Sequence, residues 1–359
     1  MDTIIKGGTI VTAHEKYEAD IGIKGGKIAL IGDNIETNGD TKVIDAKGML
    51  VMPGMIDAHV HLSLPFGGTV SADTWQTGTR AAAAGGITTV VDFAIPKDRA
   101  DSLVETVNNR KAEAEDNVYV DFGLHGALTR WDDEVRQEIG PLCEAGITTF
   151  KMFMIYRNEG WLATDPMIIE ALEETHKHGG MVQVHAESVD LIDSMHAEHS
   201  SAEEMEQHGA YLHTLTRPNA TEYEAIQRAI TWAEYTGGSL YIVHMSTKEG
   251  VDMVREARKK GIKVVGETCP QYLLLDDELF KGENGHFYAT CPQLKKPEDG
   301  EKLWVGLNDG SLSVIGTDTC TFNSEQKALW EGDYRKIPMG MPGSELMLPI
   351  LYNDGVREG

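Results

Sequence analysis

The chain has 359 residues, of which 41 % are hydrophobic and 25 % are charged, so it is long enough to bury a sizeable core. Its 57 acidic and 32 basic residues give a formal charge of −25, which disfavours binding to nucleic acid or to anionic membrane surfaces. The four cysteines form no C-x-x-C motif, the start has no signal-peptide pattern, and no apolar run approaches the roughly 18 residues of a membrane helix. We therefore expect a cytoplasmic protein with reduced thiols.

The first 52 residues are rich in glycine and alternate apolar with polar positions. Examples are TIIKGGTIVT, ADIGIKGGKIALIG and TKVIDAKGMLVMPG. Short strands separated by glycine turns are typical of this pattern, so residues 1–52 are predicted to form a small β-sheet unit.

From residue 53 onwards, apolar strand-like runs alternate with amphipathic helical stretches. The predicted strands are 54–61, 87–94, 118–125, 147–154, 181–186, 240–245, 262–268 and 313–318. Eight strands that alternate with helices over about 260 residues are typical of an α/β fold of the TIM-barrel, or (β/α)8, type. The polar stretch 190–225 is predicted to be a helical excursion, and residues 53–359 are assigned to the barrel.

Six side chains that could hold metals stand on these strands, most of them near the carboxyl ends. In a TIM barrel, the carboxyl ends of the strands carry the chemistry. Side chains two residues apart on a strand point to the same face, so the H-x-H pair in AHVHL reaches into one space. The six candidates are His59, His61, Lys151, His185, His244 and Asp318.

These residue types predict a site for two divalent metal ions. Histidine and carboxylate ligands favour zinc or a similar borderline ion, and one catalytic zinc takes only about three protein ligands. Two metals about 3.5–4 Å apart need a bridging ligand. Lys151 lies in the apolar run TTFKMFM, where an unpaired ammonium is costly. Reaction of this lysine with CO2 would give a carbamate, which is an anionic bridge with two oxygens.

Several segments of the chain resemble the dihydropyrimidinase and D-hydantoinase family of the amidohydrolase superfamily. They are HVHLSLPFGGTVSADTWQTGTRAAAAGGITTVVDF, FKMFMIY, HAE, VHMS, GTDTCTFNSEQKALW and KIPMGMPGSE, and the resemblance covers essentially the whole chain. It implies two metal sites that share the carboxylated lysine: His59, His61, Lys151 and Asp318 for one ion, and Lys151, His185 and His244 for the other.

The resemblance also implies a reaction and a small-molecule partner. Family substrates are cyclic ureides, here dihydropyrimidines or 5-substituted hydantoins, whose amide bond is opened by a hydroxide that bridges the two metals. Asp318 would take the proton from this hydroxide and pass it to the leaving nitrogen. Tyr156, five residues after the lysine, resembles the substrate-binding tyrosine of the family and would donate to the developing oxyanion.

The family holds the substrate ring through main-chain groups at positions that fall on Cys291 in TCPQLK and Met339 in KIPMGMPG. The family more often has Ser and Asn at these positions, and often has His where Thr319 follows the aspartate. These differences leave the identity of the substrate open. The residues predicted to form an apolar pocket for the ring substituent are Leu64, Phe66 and Phe153.

Three alternatives share this fold. Allantoinase and dihydroorotase have the same metal core, but dihydroorotase-like proteins tend to carry an Arg just after the H-x-H pair, where this chain reads HLSLPFGG. The missing cation argues against an acidic substrate. The collapsin-response mediator proteins are non-enzymatic interaction proteins that have lost metal ligands, whereas this chain has all six.

Two further expectations follow from the resemblance. Family members form homotetramers, and they have a further C-terminal segment that completes a small β-sandwich domain, of which residues 1–52 would be the N-terminal part. We therefore expect the chain to be a fragment that lacks this segment and to be poorly stable when made alone.

Overall fold

The computed structural model describes residues 1–358 and separates into two compact units, Met1–Met55 and a larger unit from Ile56 onwards. The first unit is a sheet of five strands: β1 (Thr3–Val11), β2 (Lys16–Lys24), β3 (Lys27–Gly32), β4 (Lys42–Asp45) and β5 (Leu50–Val51). β1 pairs antiparallel with β2 and parallel with β4 and β5, and β2 pairs antiparallel with β3. The predicted small β-sheet unit is confirmed.

The second unit contains eight parallel strands that form a nearly closed barrel. They are β6 (Met55–Val60), β9 (Ile87–Ala94), β10 (Asp121–Ala127), β11 (Thr149–Phe153), β12 (Met181–His185), β13 (Leu240–Ile242), β14 (Val264–Thr268) and β15 (Val314–Ile315), with a short hairpin, β7 (Pro65–Phe66) and β8 (Thr69–Val70), after the first. Their order in the sheet follows the chain, as the TIM-barrel prediction requires.

The barrel closes where the chain after β15 meets the end of β6. A parallel bridge joins Val60 to Thr319, and the His61 amide donates to the Thr319 carbonyl at 2.8 Å. Close approach here depends on Gly316, since a Cβ at this position would stand 2.7 Å from the His59 Cβ. Closure therefore brings the first and last strands, and the side chains at their ends, to one place.

Helices connect the strands and cover the barrel. They are α1 (Trp75–Ala84), α2 (Leu103–Ala114), α3 (Asp133–Glu144), α4 (Asp165–Lys177), α5 (Val189–Glu198), α6 (Ala202–His208), α7 (Leu212–Leu215), α8 (Asn219–Thr236), α9 (Lys248–Lys259), α10 (Pro270–Leu274), α11 (Pro297–Asp309), α12 (Ser324–Lys327) and α13 (Met347–Ile350). Five 3-10 segments and a π-helical turn complete the unit: Gly209–Tyr211, Asp277–Lys281, Gly285–Tyr288, Ala328–Trp330, Tyr334–Lys336 and Leu351–Arg357. Within residues 1–358, none of the helices combines the length and the apolar character needed to cross a membrane.

Helix α9 shows how the sequence sets these boundaries. Thr247 caps its start by accepting a hydrogen bond from the Gly250 amide, and its buried face carries Val251 and Val254. Gly261 follows the helix with a φ of +81°, a left-handed conformation that glycine adopts more easily than other residues.

The helical excursion predicted for residues 190–225 is also present, as α5, α6, α7 and the start of α8.

The strands match the sequence-based predictions most closely at their centres. The strand predicted for residues 87–94 is β9, with the same bounds, whereas β13 and β15 end three residues earlier than predicted. The reason is local: His244 and Asp318 have φ values of +39° and +53°, a left-handed conformation that leaves the strand ladder. β10 starts at Asp121 rather than at residue 118, and the exposed Tyr119 shows that the apolar run began outside the barrel.

Candidate active site

The first group of candidate ligands lies where β6 meets the segment after β15. His59 Nε2 and His61 Nε2 each lie 3.2 Å from Asp318 Oδ1. One donor atom from each of the three residues falls within 4.8 Å of the others, which is compatible with a shared ion. The alternation of side chains along β6 thus brings both histidines to the same carboxylate, as the H-x-H spacing predicts.

A buried carboxylate fixes the orientation of His59. Glu267, at the end of β14, accepts a 2.7 Å hydrogen bond from His59 Nδ1, and its Oε1 also accepts from the His244 amide at 3.0 Å. Since a carboxylate only accepts, the proton lies on Nδ1 and the lone pair lies on Nε2. His59 Nε2 is buried and has no hydrogen-bond partner, although it faces Asp318. The lone pairs of His59 Nε2 and Asp318 Oδ1 face each other at 3.2 Å and repel each other unless a cation lies between them. These residues therefore fit a metal ion.

Lys151 projects from the middle of β11 and is almost completely buried, with 1 % of its surface exposed. Its ammonium has no ion pair or hydrogen bond among residues 1–358, and it lies 5.2 Å from the centre of the Phe93 ring. Burial lowers the pKa of this lysine to about 8, against the pull of Asp318 and Glu267. An unpaired buried cation is costly, and loss of the positive charge relieves that cost.

The remaining two candidate ligands, His185 and His244, stand at the ends of neighbouring strands. Their ring centres are 4.5 Å apart, and the centre of His244 is 5.4 Å from that of His59. His244 Nδ1 is buried without a hydrogen-bond partner. Burial lowers the pKa of both imidazoles, so both rings are neutral, which is the form that binds metals.

The donor atoms around His185 are grouped differently from the predicted second metal set. His185 Nε2 lies 2.7 Å from Glu187 Oε2, and the Cys291 thiol donates to the same oxygen at 3.1 Å. These three residues form a second cluster within 4.8 Å, which does not include His244. Glu187 was not singled out from the sequence, although its place two residues after a strand-end histidine marks it as a buried charge.

All the residues predicted to contact the substrate line one small pocket together with five of the six candidate ligands, His59 being the exception. Its lining consists of His61, Leu64, Phe66, Ile95, Lys151, Phe153, Tyr156, Trp161, His185, His244, Cys291, Asp318, Cys320, Met339 and Gly340. The Phe66 and Tyr156 rings meet edge to face at 5.3 Å. Ile95, Trp161, Cys320 and Gly340 were missed by sequence reasoning. Thr319 is absent from this lining, because its hydroxyl accepts from the amides of Gly343 and Ser344.

Three residues of this site have a left-handed backbone that is unfavourable for side chains other than glycine. The φ values are +64° for Tyr156, +39° for His244 and +53° for Asp318. Such conformations cost free energy of about 1–3 kcal/mol each and cluster at functional sites. Here they turn each side chain toward the pocket at the point where the chain leaves the strand ladder.

Asp92 and Arg110 form a partly buried ion pair near His61. Arg110, on α2, donates through Nε and Nη2 to Asp92 Oδ1, at 2.9 and 2.7 Å. The Leu62 amide donates to Asp92 Oδ2 at 2.8 Å, and the Leu62 carbonyl accepts from Arg110 Nη2. The pair therefore fixes both backbone groups of the residue after His61. The only feature of the sequence that points to this ion pair is the aspartate inside the apolar run VVDFA.

Comparison with known proteins agrees with this geometry. The model of the amidohydrolase family matches residues 50–344. The chain belongs to this family. The D-hydantoinase of Geobacillus stearothermophilus is 41 % identical to this amidohydrolase over 363 residues, which cover 100 % of this chain and 76 % of the relative. The D-hydantoinase of Streptomyces coelicolor is 39 % identical, with 99 % and 77 % covered.

The similarity extends to solved structures. The crystal structure of dihydropyrimidinase from Brevibacillus agri NCHU1002 superposes on this amidohydrolase with a TM-score of 0.95 at 38 % identity, covering 100 % of this chain and 77 % of that chain. The resemblance to the dihydropyrimidinase and D-hydantoinase family is therefore confirmed, and so is the TIM barrel.

The Arg110–Asp92 pair gives a testable prediction about metal binding. Arg110→Met removes every hydrogen bond from the guanidinium and leaves Asp92 unpaired, so the loop after His61 loses its support. Loss of such supporting contacts weakens metal binding by about 10–100-fold. Metal content per folded chain should therefore fall when it is measured by elemental analysis after dialysis.

Arg136→Met is the matched control, because Arg136 is a solvent-exposed arginine whose partners are the surface carboxylates Asp133 and Glu170. It should leave metal content unchanged. Circular dichroism on both variants separates loss of metal from loss of fold. A folded Arg110→Met protein that keeps its full metal content would contradict the positioning role.

Proposed function

We propose that this amidohydrolase opens the ring of a cyclic ureide, a dihydropyrimidine or a 5-substituted hydantoin, by hydrolysing one amide bond. The observation that carries this proposal is a single pocket in which candidate metal ligands, a partly buried tyrosine and apolar side chains meet. The names of the relatives, D-hydantoinase and dihydropyrimidinase, support the same substrate class.

We infer that two divalent ions, with zinc favoured by the ligand types, bind at this pocket. One would be held by His59, His61, Lys151 and Asp318, and the other by Lys151, His185 and His244. The support is the pair of buried imidazole nitrogens, His59 Nε2 and His244 Nδ1, that have no hydrogen-bond partner. When bound, such ions would generate a water-derived nucleophile at neutral pH and polarise the substrate carbonyl.

Lys151 is proposed to join the two ions as a carbamate. The amine nitrogen attacks CO2 and loses one proton, which gives an N-carboxylate with one negative charge. Only the neutral amine can react, and the pKa of about 8 makes it available near neutral pH. The change replaces a buried cation that lacks a partner with an anion that has two oxygens for metals.

Asp318 and Tyr156 are proposed to move protons and stabilise charge. Burial alone would raise the pKa of Asp318, but His59 and His61 lower it, so the carboxylate is ionised and can accept a proton from the attacking water. It then delivers this proton to the leaving nitrogen as the C–N bond breaks. Burial raises the pKa of Tyr156 well above its ordinary value, so its hydroxyl stays protonated and can donate to the oxyanion.

The substrate ring is proposed to lie against main-chain groups of Cys291 and Met339, while its substituent meets Leu64, Phe66 and Phe153. Support comes from the position of all five residues in one lining and from the apolar cluster of Ile155, Ile192 and Cys291, against which Tyr156 and Met339 pack. Backbone contacts tolerate the difference between these side chains and those usual in the family.

Three further assignments are proposals. A cytoplasmic location is supported by four free thiols, three of them buried. A homotetramer is supported by the resemblance and by exposed apolar side chains on β3, among them Ile28 and Leu30. Residues 1–52 are proposed as part of a small β-sandwich domain, supported by the separate sheet β1–β5.

A substrate panel tests the proposed reaction. Dihydrouracil, hydantoin, 5-substituted hydantoins, allantoin and dihydroorotate are supplied to protein loaded with metal and bicarbonate. We expect turnover of dihydrouracil or a hydantoin, and its loss after treatment with a chelator. Turnover confined to allantoin or dihydroorotate would assign one of those activities instead. No turnover of any ring by metal-loaded, folded protein would contradict the proposal.

The role of Tyr156 predicts a characteristic kinetic change. Tyr156→Phe removes only the hydroxyl, whose hydrogen bond is assigned to charge that develops in the transition state. We expect kcat to fall about 10²–10³-fold, with a much smaller change in KM. Tyr235→Phe, at an exposed position on α8, is the control and should change neither constant. A rise in KM alone would identify Tyr156 as an ordinary binding contact.

A further inference from the structure

Glu187 is a buried carboxylate that the proposed reaction leaves without a role. It follows β12 by two residues, and none of its surface is exposed. Its Oε2 lies 2.7 Å from His185 Nε2 and accepts a hydrogen bond from the Cys291 thiol at 3.1 Å. One oxygen therefore contacts both a candidate metal ligand and the segment proposed to hold the substrate ring.

The distances between donor atoms distinguish a hydrogen bond from a pair of metal ligands. Two atoms that bind one tetrahedral zinc at about 2.0–2.1 Å lie about 3.3 Å from each other. His59 Nε2 is 3.2 Å from Asp318 Oδ1, which matches this spacing. His185 Nε2 and Glu187 Oε2 are only 2.7 Å apart, which is the length of a strong hydrogen bond to a charged group. The spacing indicates that Glu187 accepts a hydrogen bond and is not itself a metal ligand.

A buried network holds Glu187 in place. Arg217 Nε lies 3.6 Å from Glu187 Oε1, so the two opposite charges stabilise each other and the carboxyl group is ionised. Arg217 Nη1 donates to His213 Nδ1 at 2.8 Å, and His213 Nε2 donates in turn to the Thr290 carbonyl at 2.8 Å. Since Thr290 precedes Cys291, the network connects Glu187 to the Cys291 segment by a second route.

The contact with Glu187 fixes the protonation of the His185 ring. An ionised carboxylate only accepts hydrogen bonds, so the proton lies on Nε2 and the lone pair lies on Nδ1. No residue in the described part of the chain donates a hydrogen bond to this Nδ1, and the ring lines the active-site pocket. In His59 the arrangement is reversed, because Glu267 holds Nδ1 and leaves Nε2 free. The two histidines thus offer different ring nitrogens.

We propose that Glu187 is a positioning residue that presents Nδ1 of His185 to the second metal ion and joins this ligand to the Cys291 segment. The inference rests on the proposed two-metal function and deepens it. A carboxylate that holds the second ring nitrogen orients a metal-binding histidine and makes it more basic. Loss of the contact should therefore weaken the second ion, while the ion held by His59 and Asp318 stays bound.

Glu187→Gln tests this role, because it keeps the shape of the side chain and removes its charge. We expect the affinity of the second ion to fall about 10–100-fold and that of the first to stay the same. Both are measured by titrating metal-free protein with Zn²⁺ in the presence of bicarbonate. Glu204→Gln is the matched control, because Glu204 contacts His199 Nδ1 at 2.8 Å at a more exposed position on α6. It should leave both affinities unchanged, and circular dichroism checks the fold of each variant.

Cobalt spectroscopy of the wild type tests the same inference even if Glu187→Gln fails to fold. If His185, Glu187 and Cys291 held an ion directly, Co²⁺-loaded protein would show a thiolate-to-cobalt absorption band that Cys291→Ala removes. We expect no such band, and two bound ions in Cys291→Ala. A thiolate band that disappears in this variant would overturn the positioning role.

The metal titrations separate this inference from the proposed function. Two ions in the wild type, with the same two affinities in folded Glu187→Gln, would overturn the role of Glu187 and leave the two-metal site intact. Fewer than two ions in the wild type would overturn the two-metal site and this inference together. Selective loss of one ion in Glu187→Gln, with both retained in Glu204→Gln, is the result that supports the proposal.

Discussion

The hydrogen bond from His59 Nδ1 to Glu267 is the interaction on which the arrangement of the site depends. It places the histidine proton on the side away from the pocket and aims the Nε2 lone pair at Asp318. The same carboxylate accepts from the Tyr241 hydroxyl and from the His244 amide, so it fixes two candidate ligands on different strands. Closure of the barrel between β6 and the segment after β15 then sets the distance between His59 Nε2 and Asp318 Oδ1.

Desolvation is the second physical condition of the site. Burial keeps the imidazoles of His59, His185 and His244 neutral, lowers the pKa of Lys151 to about 8 and keeps Tyr156 protonated. Each of these states suits the role proposed for the residue: metal binding, reaction with CO2 and donation to an oxyanion. Three left-handed residues add backbone strain at the same place, which the surrounding barrel must hold.

Much of this could be predicted from the sequence, because a TIM barrel puts the carboxyl ends of its strands at one mouth. His61, the buried lysine and the residues expected to contact the substrate line one pocket. His59 does not line this pocket, but its Nε2 lies 3.2 Å from Asp318 Oδ1. The supporting carboxylates could not be assigned in this way. Glu267 lies 208 residues from His59, and Arg110 lies on a helix whose contact with Asp92 no local pattern specifies.

The central claim is that two metal ions share a carbamate on Lys151. The most direct measurement is the number of divalent ions bound per folded chain, by elemental analysis of wild type and Lys151→Met after loading with metal and bicarbonate. The account predicts two ions in the wild type and fewer in the variant, because no other anion is placed to bridge them. One ion or none in the wild type, or two ions in the variant, would contradict it.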